Sequence, residues 1–240
     1  MTEFPNLFLR VAEIDWANVP EDYTHSIRPL RNLDRLEFSF PVTLFAGENG
    51  TGKSTLLEAL AISAGFNPEG GTFNYRFSTY DDYSSLSQGM RLIRGHRRPK
   101  TGFFLRAESF YNVATAAMTK YNDDGRMPDY HALSHGESFL EFMRRGGRDG
   151  LYLMDEPEAA LSPQRQLALL KMIHDMCGEG CQFIIATHSP ILLGMPEAQI
   201  LSFDEENIHP CAYEETGSYQ ITKMFLSRRE KFLQDLFEEE

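Results

Sequence analysis

The chain of 240 residues is long enough for one large α/β domain, with or without a smaller embedded lobe. Its 23 Lys and Arg stand against 35 Asp and Glu, a formal net charge of −12, so bulk attraction to nucleic acid is excluded and any such contact must be local. The cysteines Cys177, Cys181 and Cys211 are too few and odd in number for a disulfide framework or a zinc site, and read as reduced thiols in a cytoplasmic setting.

In chain order, the N-terminus carries Glu3, Pro5 and Asp15 in place of a basic segment followed by an apolar core. No apolar run reaches the roughly 18–20 residues that span a bilayer, so no direct membrane insertion is expected. Residues 7–14 alternate loosely and predict a strand, 36–40 a second and 42–46 a third. The third feeds Gly47-Glu48-Asn49-Gly50-Thr51-Gly52-Lys53-Ser54-Thr55, a Gly-x-x-x-x-Gly-Lys-Ser loop that opens a helix over 54–64. Glycines there let successive N–H groups turn inward at phosphate oxygens, and the helix N-terminus adds its positive dipole end. Asn49, Gly50, Thr51, Gly52, Lys53, Ser54 and Thr55 are therefore the candidate phosphate-binding residues, with Lys53 reaching the terminal phosphates and Ser54 a Mg²⁺ ligand. A nucleoside triphosphate is the expected ligand.

Asn67-Pro68-Glu69-Gly70-Gly71 breaks the pattern, and residues 78–101 read as polar and irregular. Within them Arg91, Arg94, Arg97, Arg98 and Lys100, with His96, form a basic cluster. It is either a solvated face or a patch over 91–100 for nucleic acid or an acidic protein. Residues 102–105 predict a buried strand, 110–120 and 137–145 helices. Ser134-x-x-Glu137 is a helix capping box, and a capped helix N-terminus is also an anion site, which makes Ser134 and Gly136 candidates for a terminal phosphate held by a second subunit.

Residues 151–154 form a short apolar run ending in Asp155-Glu156-Pro157, as at the end of a central parallel strand. Asp155 is placed to hold Mg²⁺, and Glu156 to act as general base toward water. Ser162 as N-cap and Pro163 at the first position start a helix that ends near Gly178, with 167, 170, 173 and 176 on its buried face. Residues 183–186 predict another strand, and His188 after it is placed to bond a γ-phosphate. Residues 200–203 and 208–213 read as a hairpin, followed by short helices. Strands alternating with helices indicate a mainly parallel sheet flanked by helices, α/β in class.

Taken in order, residues 47–55, 133–138, 151–162 and 186–190 resemble the ABC-type ATPase superfamily over about residues 36–203. They stand where that superfamily has Walker A, signature, Walker B with D-loop, and switch histidine. Among its branches the chain looks most like small stand-alone AAA/ABC-like ATPases related to recombination, SMC-type and OLD-type enzymes, a likeness that Gly102 to Phe110 shares. The resemblance implies a P-loop NTPase fold in a single domain over 1–240, with an antiparallel N-terminal portion and a small helical lobe at about 78–145. It implies ATP with Mg²⁺, catalytic roles for Lys53, Glu156 and His188, and an ATP-dependent head-to-tail homodimer with residues 159–162 facing the opposite protomer. His135 and Glu137 depart from the usual signature Gly and Gln. For the Q-loop, which adds a metal ligand, Glu108 after a strand is preferred to Gln88. A transporter subunit and an ATP-gated switch with little turnover are the alternatives. Phe40 is expected in the core, leaving no evident aromatic for adenine.

Overall fold

The computed structural model describes residues 6–73, 84–106, 140, 143 and 147–238. In chain order these contain β1 (Leu9–Ile14), a single-turn helix α1 (Arg28–Arg31), β2 (Arg35–Glu37), β3 (Val42–Ala46), α2 (Lys53–Ala64), β4 (Met90–Arg94), β5 (Thr101–Leu105) and β6 (Gly150–Asp155). There follow α3 (Pro163–Gly178), β7 (Gln182–Ala186), α4 (Pro190–Leu193), β8 (Gln199–Ser202), β9 (His209–Pro210), α5 (Gly217–Ser227) and α6 (Arg229–Glu238). The helices expected over 110–120 and 137–145 lie outside the described residues, save for helical positions 140 and 143.

Two sheets result. A six-stranded sheet runs β5-β6-β7-β3-β8-β9, parallel from β5 to β8 and closed by antiparallel β9, which pairs Leu201 with Pro210. A three-stranded antiparallel sheet runs β2-β1-β4. The expected α/β class, the mainly parallel sheet and the antiparallel N-terminal portion are all present.

The central strands are mostly apolar and buried on both faces, yet their side chains still alternate between faces. Phe45, Leu153, Ile184 and Ala186 join the core that includes β1, α1 and α2, whereas Leu44, Ala46, Tyr152, Met154, Phe183 and Ile185 join one with α3 and α4. Helix α2 lies between the two sheets, so it is buried nearly all round: Leu56, Leu57, Ala59, Leu60 and Ala61 are inaccessible. It stops at Gly65, whose φ of 105° lets its N–H reach the Ala61 and Ile62 carbonyls. One buried side chain ties the sheets together: Gln182 Oε1 accepts from the Phe8 and Leu9 N–H groups at 2.9 Å, and its Nε2 donates to the Leu9 carbonyl at 2.9 Å.

Several expectations need correction. Residues 78–101 are not uniformly irregular, because Met90–Arg94 forms β4 against β1. Phe40 is 43% exposed, and Phe38 is the core aromatic of that stretch. On α3 the expected Ile173 and Met176 are buried and Leu170 is half-buried, but Leu167 is 57% exposed and Leu169 is buried in its place. Ser162 precedes that helix but gives no side-chain cap. Strand pairing starts at Leu9, two residues after the expected start of β1.

Candidate functional site

Strand β3 is buried throughout and delivers the chain to the glycine loop. Gly47, Gly50 and Gly52 have φ of 145°, 82° and 97°, values that side-chain-bearing residues rarely adopt. Gly52 is also required by packing, since a Cβ there would lie 2.8 Å from Ile27 Cγ2 and from Leu30 Cδ1 of α1. At Gly50 an added Cβ would meet nothing within 4 Å, so this stretch faces open space. The loop ends in the N-terminus of α2, where the first-turn N–H groups of Lys53, Ser54 and Thr55 have no carbonyl within the helix to bond. Lys53 folds over the loop, its Nζ donating to the Gly47 and Glu48 carbonyls at 2.6 and 2.8 Å. Burial pushes the Lys53 ammonium below its ordinary pKa, opposed by the carboxylates of Glu156, Asp204, Asp155 and Glu48.

Asp155, at the end of β6, accepts a 2.9 Å hydrogen bond from Ser54 Oγ on Oδ1. Burial pushes its carboxyl up to about 6, and neighbouring Glu156 adds to the rise; the Ser54 bond, Arg106 and Lys53 oppose it. Glu156 has φ 45° and ψ 54°, a left-handed conformation that costs a non-glycine residue about 1–3 kcal/mol. Its N–H still bonds the Ala186 carbonyl of β7 at 2.9 Å. Glu156 Oε1 stands 3.6 Å from His188 Nε2, close but beyond hydrogen-bond length. Thus the sequence-selected Lys53, Ser54, Asp155, Glu156 and His188 converge at the carboxyl ends of β3, β6 and β7.

Other site neighbours escaped the sequence reading. Asp204, just past β8, accepts the Glu48 N–H at 2.6 Å and so braces the loop from behind; an acid just past a strand end, as at Asp155, was its available signal. Glu58 inside α2 takes Arg106 Nη2 at 3.0 Å and the Ser84 N–H at 2.9 Å. Glu158 accepts three hydrogen bonds from residues 187–189. Glu108, Ser134 and Gly136 lie outside the described residues. Gln88 lines a cavity with Glu13, Asp15 and Arg91, apart from the glycine loop.

The basic stretch is divided among separate contacts. Arg91 bonds Glu13 on the outer face of the antiparallel sheet, while Arg94 donates to the Ser63 and Ala64 carbonyls at the end of α2. Arg97 and Lys100 both pair with Asp149.

A hard cation suits this donor set. Ser54 Oγ and the Asp155 carboxylate are oxygen donors held together, and among the described residues no group of three or more His, Cys, Asp or Glu forms a metal cage. Mg²⁺ is commonly bound in this way, through one or two protein oxygens with phosphates and water completing the shell.

Comparison with known proteins is consistent with this geometry. A family model described as "AAA domain" matches residues 24–89, which include the glycine loop, and one described as "AAA domain, putative AbiEii toxin, Type IV TA system" matches residues 137–194, which include Asp155, Glu156 and His188. Residues 24–89 and 137–194 are thus similar to AAA-type ATPase domains. The chain is 28% identical over 167 residues to the "Hemin import ATP-binding protein HmuV" of Pseudomonas aeruginosa, covering 59% of the chain and 64% of the relative. It is 26% identical over 177 residues to the "Putative ribose/galactose/methyl galactoside import ATP-binding protein 1" of Rhizobium etli, covering 61% of the chain and 33% of the relative. The matched stretch therefore spans less than two thirds of either curated relative. The solved "SMC head domain from Thermotoga maritima" aligns with 86% of this chain and 100% of that chain, at 14% identity and a TM-score of 0.47. Among the described residues no helix of the chain is long and apolar enough to cross a membrane.

Proposed function

We propose that this ATPase binds ATP with Mg²⁺ and cleaves its terminal phosphoanhydride bond, closing head-to-tail with a second copy around the nucleotide. The observation that carries the reading is the 2.9 Å bond between Ser54 and Asp155, which joins the phosphate-loop helix to the end of β6 with Glu156 beside it. In this reading residues 49–55 hold the phosphates, and Lys53 exchanges its loop carbonyls for phosphate oxygens. Ser54 and Asp155, with Glu108, hold Mg²⁺, which when bound neutralises phosphate charge. Glu156 accepts a proton from the attacking water, and His188 faces the terminal phosphate. Ser134 and Gly136 of the second copy complete the site. The domain is single over 1–240, with a small lobe at about 78–145, and works in the cytoplasm. Any nucleic-acid or protein partner on 91–100 must contend with the acids and carbonyls that already engage Arg91, Arg94, Arg97 and Lys100.

The names of the two curated relatives favour a second reading, an ATP-binding subunit of an importer. One variant separates the possibilities. Glu156→Gln is expected to bind ATP, lower phosphate release by roughly 10²- to 10⁴-fold, and double in mass by light scattering with ATP and Mg²⁺. Lys53→Ala is expected to lose nucleotide binding. A Glu156→Gln protein that stays monomeric at saturating ATP–Mg²⁺ removes the head-to-tail arrangement, and its co-purification with an integral membrane protein selects the importer. Dimerisation of the wild type without any phosphate release identifies an ATP-gated switch.

A further inference from the structure

Glu158 follows Glu156 by two residues, in a single turn of 3₁₀ helix over Pro157–Ala160. Its carboxylate is unevenly used. Oε1 accepts from Thr187 Oγ1 at 2.7 Å, the His188 N–H at 2.6 Å and the Ser189 N–H at 3.1 Å. Oε2 is buried with no hydrogen-bond partner among the described residues. An acid serving only to fill space would leave such an oxygen at a cost without return. What Oε1 holds is the main chain of the loop after β7, whose Thr187 is inaccessible and Ser189 5% exposed.

Gln166 of α3 makes a parallel link. Its Nε2 donates to the Leu161 carbonyl at 3.0 Å and its Oε1 accepts from Ser189 Oγ at 2.6 Å. Ser189 Oγ in turn accepts the Ile191 and Leu192 N–H groups that open α4. The turn after β6 and the loop after β7 are thereby bound into one unit. Among the described residues the His188 ring has no comparable anchor: its Nε2 is buried, lacks a hydrogen bond there, and stands 3.6 Å from Glu156 Oε1. Its position follows from its backbone, and Glu158 grips that backbone.

We infer that Glu158 is a positioning residue for His188, fixing the 187–189 main chain so that the imidazole stands beside Glu156 where the terminal phosphate is cleaved. This rests on the ATPase reading above and adds a residue to it. Misplacing a reacting group by about 1 Å costs on the order of 100-fold in rate, so Glu158→Ala should lower kcat by about 10- to 100-fold while ATP affinity stays within about twofold. Glu158→Gln keeps an acceptor oxygen for the three donors and should recover most of kcat. The deciding measurement is a double-mutant cycle with His188→Ala. If Glu158 acts through the imidazole, Glu158→Ala should cost less than about twofold more in kcat once His188 is gone. Thr187→Val, which deletes one donor and perturbs folding less, should show a smaller loss with the same non-additivity. Independent losses in the cycle, or a Glu158→Ala protein of lowered Tm with unchanged kcat, overturn the assignment. Failure of the ATPase reading shows differently, as phosphate release that survives Lys53→Ala.

Discussion

Asp155 carries the largest electrostatic tension in the site, because this acid is buried beside another acid. Its folded-state pKa of about 6 exceeds its ordinary value of 3.8, so folding favours the protonated form. The sign of the pH effect follows: stability from this group is fully present below pH 3.8 and lost as pH rises through about 6. Asp155→Asn keeps an oxygen to accept from Ser54 and removes the charge. In buffer free of nucleotide and metal it should therefore raise Tm at pH 7.5, and the gain should shrink steadily as pH falls below 6. Equal gains at pH 7.5 and 4 would assign the effect to packing. Asp155 was legible in the sequence because acid after an apolar strand is a pattern with a chemical reason. Glu158 was not, since its role depends on a loop 29 residues away in sequence coming within 2.7 Å.

At the scale of elements, the parallel strands were readable because burial on both faces demands continuous apolar runs, as in residues 42–46 and 151–154. Strand β4 escaped for the opposite reason: one face meets solvent, so Arg91 outside and Arg94 at the end of α2 interrupt the apolar signal. The two sheets meet at Gln182, a polar residue in a strand otherwise apolar, which bonds three main-chain groups of Phe8 and Leu9 while 1% exposed. Gln182→Leu would strand those groups in the interior at about 1–3 kcal/mol each before relaxation. We expect a net loss of about 2–4 kcal/mol in chemical denaturation. Protection of β1 amides in hydrogen exchange should fall with it. Stability within about 0.5 kcal/mol of wild type would mean that water replaces the side chain.

For the whole molecule, the order of motifs along the chain was readable but their meeting was not. The phosphate loop ends β3, Asp155 ends β6 and His188 follows β7, with β7 lying between the other two. Parallel direction alone brings all three to one edge, which is where ligands bind in open α/β sheets. Under the proposed function a nucleotide there links α2, β6 and β7, so binding should stabilise the fold globally. With ATP–Mg²⁺ at about a hundred times its Kd, mass action contributes ~2.7 kcal/mol, or about 5–10 °C in Tm for a domain of this size. Lys53→Ala should abolish that shift, since burial of its ammonium against loop carbonyls is exchanged for phosphate contacts only when nucleotide enters. Glu156→Gln should keep the shift or enlarge it, because removing the proposed base should block turnover without touching the cradle. A thermal shift that appears equally in wild type and Lys53→Ala would place the nucleotide somewhere other than the loop between β3 and α2.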